Sequence, residues 1–197
     1  MSMRRIRVTS LIIGAALATT LASGCTVAHV GVASPQPAPK ATTSSPDRPR
    51  ELKIDGFASC ELLSESQRLD LQISRPPNKR EDSVSKADAC DFNNHTDGTS
   101  LSLYVMLKHD MEMFAPGNVN GKVRSVRVLG FPAYEIELDS REDPNQSCSV
   151  NIGVSSGQVL RGQYMRWKRQ QPLPDGEVCI RATRGVELAL GNILAKS

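Results

Sequence analysis

Ser147-Cys148-Ser149-Val150-Asn151-Ile152-Gly153-Val154 is the stretch on which the fold turns. Its apolar side chains fall on every second residue, and a strand sends successive side chains to opposite faces. Cys148, Val150, Ile152 and Val154 are therefore expected inside, with Ser147, Ser149, Asn151 and Gly153 outside. Ser155-Ser156-Gly157 then turns the chain into a second strand, Val159 to Trp167.

Upstream the same period recurs. Leu101, Leu103, Val105 and Leu107 alternate with Ser102, Tyr104, Met106 and Lys108, and a turn at Thr96-Asp97-Gly98-Thr99 pairs them with a strand through Cys90-Asp91-Phe92. Val126-Arg127-Val128 and Tyr134 to Leu138 form another pair, joined through Gly130-Phe131-Pro132. In that second strand Tyr134, Ile136 and Leu138 face one way and Glu135, Glu137 and Asp139 the other. Ser64 and Gln67 make a capping box that starts a short helix carrying Leu69 and ending at Arg75-Pro76-Pro77. Asn78 to Lys86 reads as a charged loop, and His109 to Phe114 as a helical turn. At the other end Cys179, Ala182, Val186, Ala189, Leu190 and Ile193 form one stripe of a helix over Gly176 to Leu194. The fold expected is a single α+β domain over residues 52–197: a twisted antiparallel sheet of about six strands, covered by an N-terminal and a C-terminal helix.

In front of this domain the chain changes character. Arg4, Arg5 and Arg7 precede an apolar run from Val8 to Leu21, and Ala22-Ser23-Gly24 leads into Cys25. A basic arm, a short apolar core and small residues are the three parts of a secretory signal, here residues 1–24. The apolar run falls short of the roughly 20 residues a transmembrane helix needs. The alternatives are ordinary cleavage after Gly24 and lipid attachment at Cys25; a cysteine placed directly behind the site favours the lipid. Residues 25–51 then form a tether, with Pro35, Pro37, Pro39, Pro46 and Pro49 among Ala, Ser and Thr.

Charge and cysteine count narrow the classes. The net charge of +3 belongs to the signal, because removing Arg4, Arg5 and Arg7 leaves 21 basic against 21 acidic residues. A formally neutral mature chain lacks the basic excess of a nucleic-acid binder. With Cys25 carrying lipid, Cys60, Cys90, Cys148 and Cys179 remain, an even set in an oxidising compartment. Four cysteines allow three pairings. Cys148 on the inner strand face and Cys179 on the inner helix stripe favour Cys148–Cys179 with Cys60–Cys90. No Cys-x-x-Cys spacing points to a redox or cysteine-zinc site.

The ordered set of a lipoprotein-type signal, a Pro/Ser/Thr tether, Cys60-x-Leu62-Leu63, Cys90-x-Phe92, Gly130-x-Pro132-Ala133-Tyr134, Cys148-x-Val150 and Cys179-x-x-Ala182 resembles the actinobacterial lipoproteins of domain-of-unknown-function family 3558. Phe92 stands where that pattern usually has Trp, and Ala22 departs from its lipid box at the third residue before the cysteine. The resemblance implies an envelope-anchored domain and brings no catalytic residues with it.

Three constellations remain. His109, Met111 and Met113 combine imidazole and thioether groups that suit Cu(I); the alternative has the methionines filling the core edge beside Phe114. Tyr164, Arg166, Trp167, Lys168 and Arg169 interleave aromatic and basic groups, as a band laid against anionic headgroups or an acidic wall polymer would; the alternative is an edge strand guarded by its charges. Glu135 and Glu137 share a strand face like a glycosidase pair, although such neighbours are ordinarily solvated. No nucleophile elbow or His-Glu-x-x-His motif accompanies the three histidines, His29, His95 and His109. The expectation is a non-catalytic, cofactor-free lipoprotein on the outer side of the cell membrane. It binds an envelope protein or a small apolar ligand lodged between helix and sheet, and no nucleic acid. The alternative is a metal-handling protein or hydrolase built on His109 and its neighbours.

Overall fold

A computed structural model describes residues 47–138, 146–167 and 173–197. The signal, Cys25, the tether up to residue 46, Asp139, Lys168 and Arg169 lie outside the described residues. Seven strands form one antiparallel sheet: β1 (Asn78–Glu81), β2 (Asp88–Asn94), β3 (Thr99–Met106), β4 (Lys122–Val128), β5 (Phe131–Glu137), β6 (Ser147–Ser155) and β7 (Gln158–Arg166). Their spatial order is β1-β2-β3-β7-β6-β5-β4. Two hairpin-built halves, β1–β3 and β4–β7, thus join where β3 pairs with β7.

Two expectations change here. The sheet has seven strands rather than six, because β1 lies inside the expected loop Asn78–Lys86. Asn78-Lys79-Arg80-Glu81 has no apolar member, so no hydrophobic period marks it; the ladder to β2 and the 2.8 Å bond from Arg80 Nε to Asp91 hold it instead. Among the described residues only one helix covers the sheet. The capping box forms at Ser64, but α1 (Glu65–Asp70) is six residues long, buries none of them and leaves Leu69 exposed. It stops before Arg75, where Gln72 takes a left-handed φ of 60°.

The cover is α2 (Glu177–Leu194), packed chiefly on β6 and β7, together with the irregular segment Leu52–Leu63. The expected stripe Cys179, Ala182, Val186, Ala189, Leu190 and Ile193 is buried against Leu103, Val150, Ile152 and Leu160. Glycine lets the layers approach. A Cβ at Gly162, in the middle of β7, would sit 2.6 Å from Val186 Cβ, and one at Gly185 2.6 Å from a Leu101 methyl. Two disulfides clamp cover to sheet, Cys60–Cys90 and Cys148–Cys179, the two pairs favoured from the sequence.

β6 and β3 are buried along their whole length, on both faces. Ser147, Ser149 and Asn151, expected toward water, are therefore inside as well. The 3-10 turn Met111–Phe114 lies over part of this second face, with Met111 against Gly153, and Tyr104, Met106, Ile136 and Val159 complete a smaller apolar cluster there. Among the described residues no helix is long and apolar enough to cross a membrane.

Candidate functional site

β7 sits at the middle of the sheet, between β3 and β6, so Tyr164 and Arg166 do not lie on an edge strand. Tyr164 and Arg166 share the parity of Leu160 and Gly162 and turn toward α2; both are buried. Trp167, just past the strand, is partly exposed and meets His95 edge-on at 5.6 Å.

Beside these residues the cover is incomplete. Because α1 ends early, residues 70–73 form one wall of a cleft, held by bonds from Ile73 N–H to Arg68 O (2.9 Å) and from Ser74 N–H to Asn93 O (3.3 Å). The cleft measures about 240 Å³ and is lined by Leu71, Ile73, Phe92, Leu101 and Tyr164 with Asp70, Gln72, Asn94, Thr99 and Arg181. The register orders its floor: Phe92, Leu101 and Tyr164 stand side by side across β2, β3 and β7. The next row outward on the same face is Asn94, Thr99 and Arg166. An apolar row is thus followed by a polar one. From α2, Arg181 donates to the Tyr164 hydroxyl (3.0 Å) and to Glu177 (2.7 Å). Burial pulls the Arg181 guanidinium down, but the Glu177 carboxylate and the Tyr164 hydroxyl outweigh it and hold it above its ordinary value.

The other candidates are not gathered into a site. Met111 is turned onto the sheet and Met113 outward, so the two thioethers do not converge, and His109 lines a different cleft with Lys79, Lys86 and Lys108. Glu135 is buried and bonded by Arg124 (2.8 Å from Nε), whereas Glu137 is half-buried. Glu135 and the sulfurs of Cys148 and Cys179 lie within 4.8 Å, but those sulfurs are joined to each other and offer no thiolate.

Sequence reasoning missed Phe92, Thr99 and Arg181 as members of one cleft and gave Arg166 to the surface. The signal was parity: on β7 the arginine falls in step with Leu160, Gly162 and Tyr164, the inward residues.

The family model described as "Protein of unknown function (DUF3558)" matches residues 20–192. No curated protein and no solved structure matches.

Proposed function

The chain belongs to the family described as protein of unknown function DUF3558, and from that premise we propose that it is a lipid-anchored envelope domain of an actinobacterium that binds a small apolar ligand rather than catalysing a reaction. The observation that carries this is the cleft between residues 70–73, the sheet and α2, whose floor of Phe92, Leu101 and Tyr164 and wall of Leu71 and Ile73 are ringed by polar groups. An apolar concavity with sparse, placed polar groups is how small-molecule sites are built. The anchor rests on Cys25 directly behind an apolar signal and ahead of a proline-rich tether. The tether, cleaved from residues 1–24, gives the domain roughly 25–30 Å of reach from the membrane.

Octanol titrated calorimetrically into the full chain tests the binding half. Saturable binding is expected, and Leu71→Trp, which places an indole at the partly open wall, should weaken it at least tenfold. Saturation that survives Leu71→Trp undiminished would place the ligand elsewhere. For the anchor, a fatty-acid probe fed to expressing cells should label the parent and not Cys25→Ser.

A further inference from the structure

We infer that the ligand of this cleft is an anionic amphiphile, its apolar body on the Phe92–Leu101–Tyr164 row and its carboxylate or phosphate head on the Asn94–Thr99–Arg166 row. The inference rests on the proposed ligand-binding role and adds the chemical class. Arg166 carries it. The residue is only 3 % exposed, yet its guanidinium has no carboxylate and no side-chain hydrogen bond among the described residues, and Nη2 is buried without a partner. A buried guanidinium left in that condition loses its hydration without compensation, which costs several kcal/mol in general. Other arginines are better provided: Arg80 has Asp91 and Asp82, Arg124 has Glu135, Arg181 has Glu177, and Arg161, which has no carboxylate and a buried unpartnered Nε, still donates from Nη2 to Gln163.

Position gives the orphan its meaning. Arg166 stands directly opposite Thr99 and two residues from Tyr164, and both of these line the cleft. Cross-strand partners bring their Cβ atoms within about 5.5 Å, so Arg166, although not itself a lining residue, stands beside the cleft's polar end. Arg181 adds a second cation and the Tyr164 hydroxyl a further polar group beside it. Among the described residues the single acidic one lining the cleft is Asp70, from the opposite wall at the end of α1. Arginine's planar fork matches carboxylate and phosphate oxygens in pairs, and such charge-assisted bonds are the strong ones.

The test is calorimetric titration of octanol, octanoate and octyl phosphate into the full chain carrying Cys25→Ser, which removes the lipid. At least one anionic probe should bind tenfold or more tighter than octanol, and the better of the two identifies carboxylate or phosphate as the head. In Arg166→Met that advantage should vanish while octanol binding stays. The variant should melt no lower than the parent, because an unpaired buried charge has been removed. Thr99→Val, a milder change in the same row, should cut the advantage severalfold. Equal affinity for all three probes in the parent overturns the inference while leaving the apolar cleft standing. A large loss of melting temperature in Arg166→Met also counts against it, since the arginine would then be structural. If octanol itself does not bind, the ligand-binding reading fails first, and this one with it.

Discussion

The two faces of the sheet are stabilised by different physics. The face under α2 is apolar from Phe92 to Ile152 and closed by two disulfides. The opposite face carries Asp91, Ser102, Tyr104, Arg161 and Gln163 in its centre, linked by hydrogen bonds from Arg80 on β1 across to Ser147 on β6, with Ser149 and Asn151 bonded to each other beside them. There Tyr104 is flanked by Arg80 and Arg161 at 5.2 and 5.1 Å from its ring centre. Burial is the largest influence on Arg161 and pulls its guanidinium down. Apolar burial scales with area and tolerates local imperfection, whereas a polar network is stable only while its members stay satisfied. The first face is therefore where covalent and steric changes should cost most. The second is where a single charge should be felt through pH.

The largest loss is expected from the covalent link between the layers. Replacing Cys148 and Cys179 together by alanine frees a sequence separation of 31 residues. In the chain-entropy picture that is worth about 3–4 kcal/mol, or on the order of 10 °C of melting temperature for a domain of this size. Scanning calorimetry of the double variant measures it; a fall of only a degree or two would mean that packing under α2 suffices without the clamp. Next comes Gly162→Ala, at about 3 kcal/mol, the upper end of overpacking costs. The added methyl meets Val186 Cβ and, at 3.3 Å, the backbone oxygen of Ala182, neither of which can move without displacing the helix. Urea unfolding would show it as a lower midpoint at unchanged slope.

This contrast also explains what could be read in advance. Period-two alternation reports the face that is apolar, so Cys148 to Val154, the Leu101–Val105 run and the stripe on α2 were legible, and with them the two disulfide pairs. Alternation cannot distinguish a polar residue in water from one buried in a network, which is why Ser149 and Asn151 were assigned outside. It is silent on β1, which holds on through backbone ladder and Arg80. The cleft was foreseen only as a space between helix and sheet. Its actual wall depends on α1 stopping at Leu71, a local event that capping signals at the other end of the helix do not fix.

On the polar face the expected effect is smaller and depends on pH. Burial tends to raise the Asp82 carboxyl, but the Ser85 backbone N–H and hydroxyl, both at 2.8 Å, and Arg80 together hold it down to about 2. A carboxyl depressed below its ordinary 3.8 contributes stability above that value and loses it as the pH falls through about 2. Asp82→Asn should therefore cost on the order of 2 kcal/mol at pH 7, and most of the gap to the parent should be gone at pH 2. Urea titrations at the two pH values decide it. A gap that persists unchanged in acid would trace the loss to geometry and not to charge.

The smallest effect on stability, and the one that ties the apolar face to the cleft, lies at Glu177. Its contact with Arg181 is an i,i+4 helix pair in which both side chains are about a third exposed, worth roughly 0.3–0.5 kcal/mol. Glu177→Gln should barely move the melting temperature. It does, however, release Arg181 from the carboxylate while leaving its bond to the Tyr164 hydroxyl at the edge of the cleft. If the cleft takes an anionic head, that release raises the local positive charge, and octanoate should bind about twofold tighter with octanol unchanged. If octanoate instead binds more weakly, Glu177 acts by aiming the guanidinium, and orientation outweighs charge at this end of the helix.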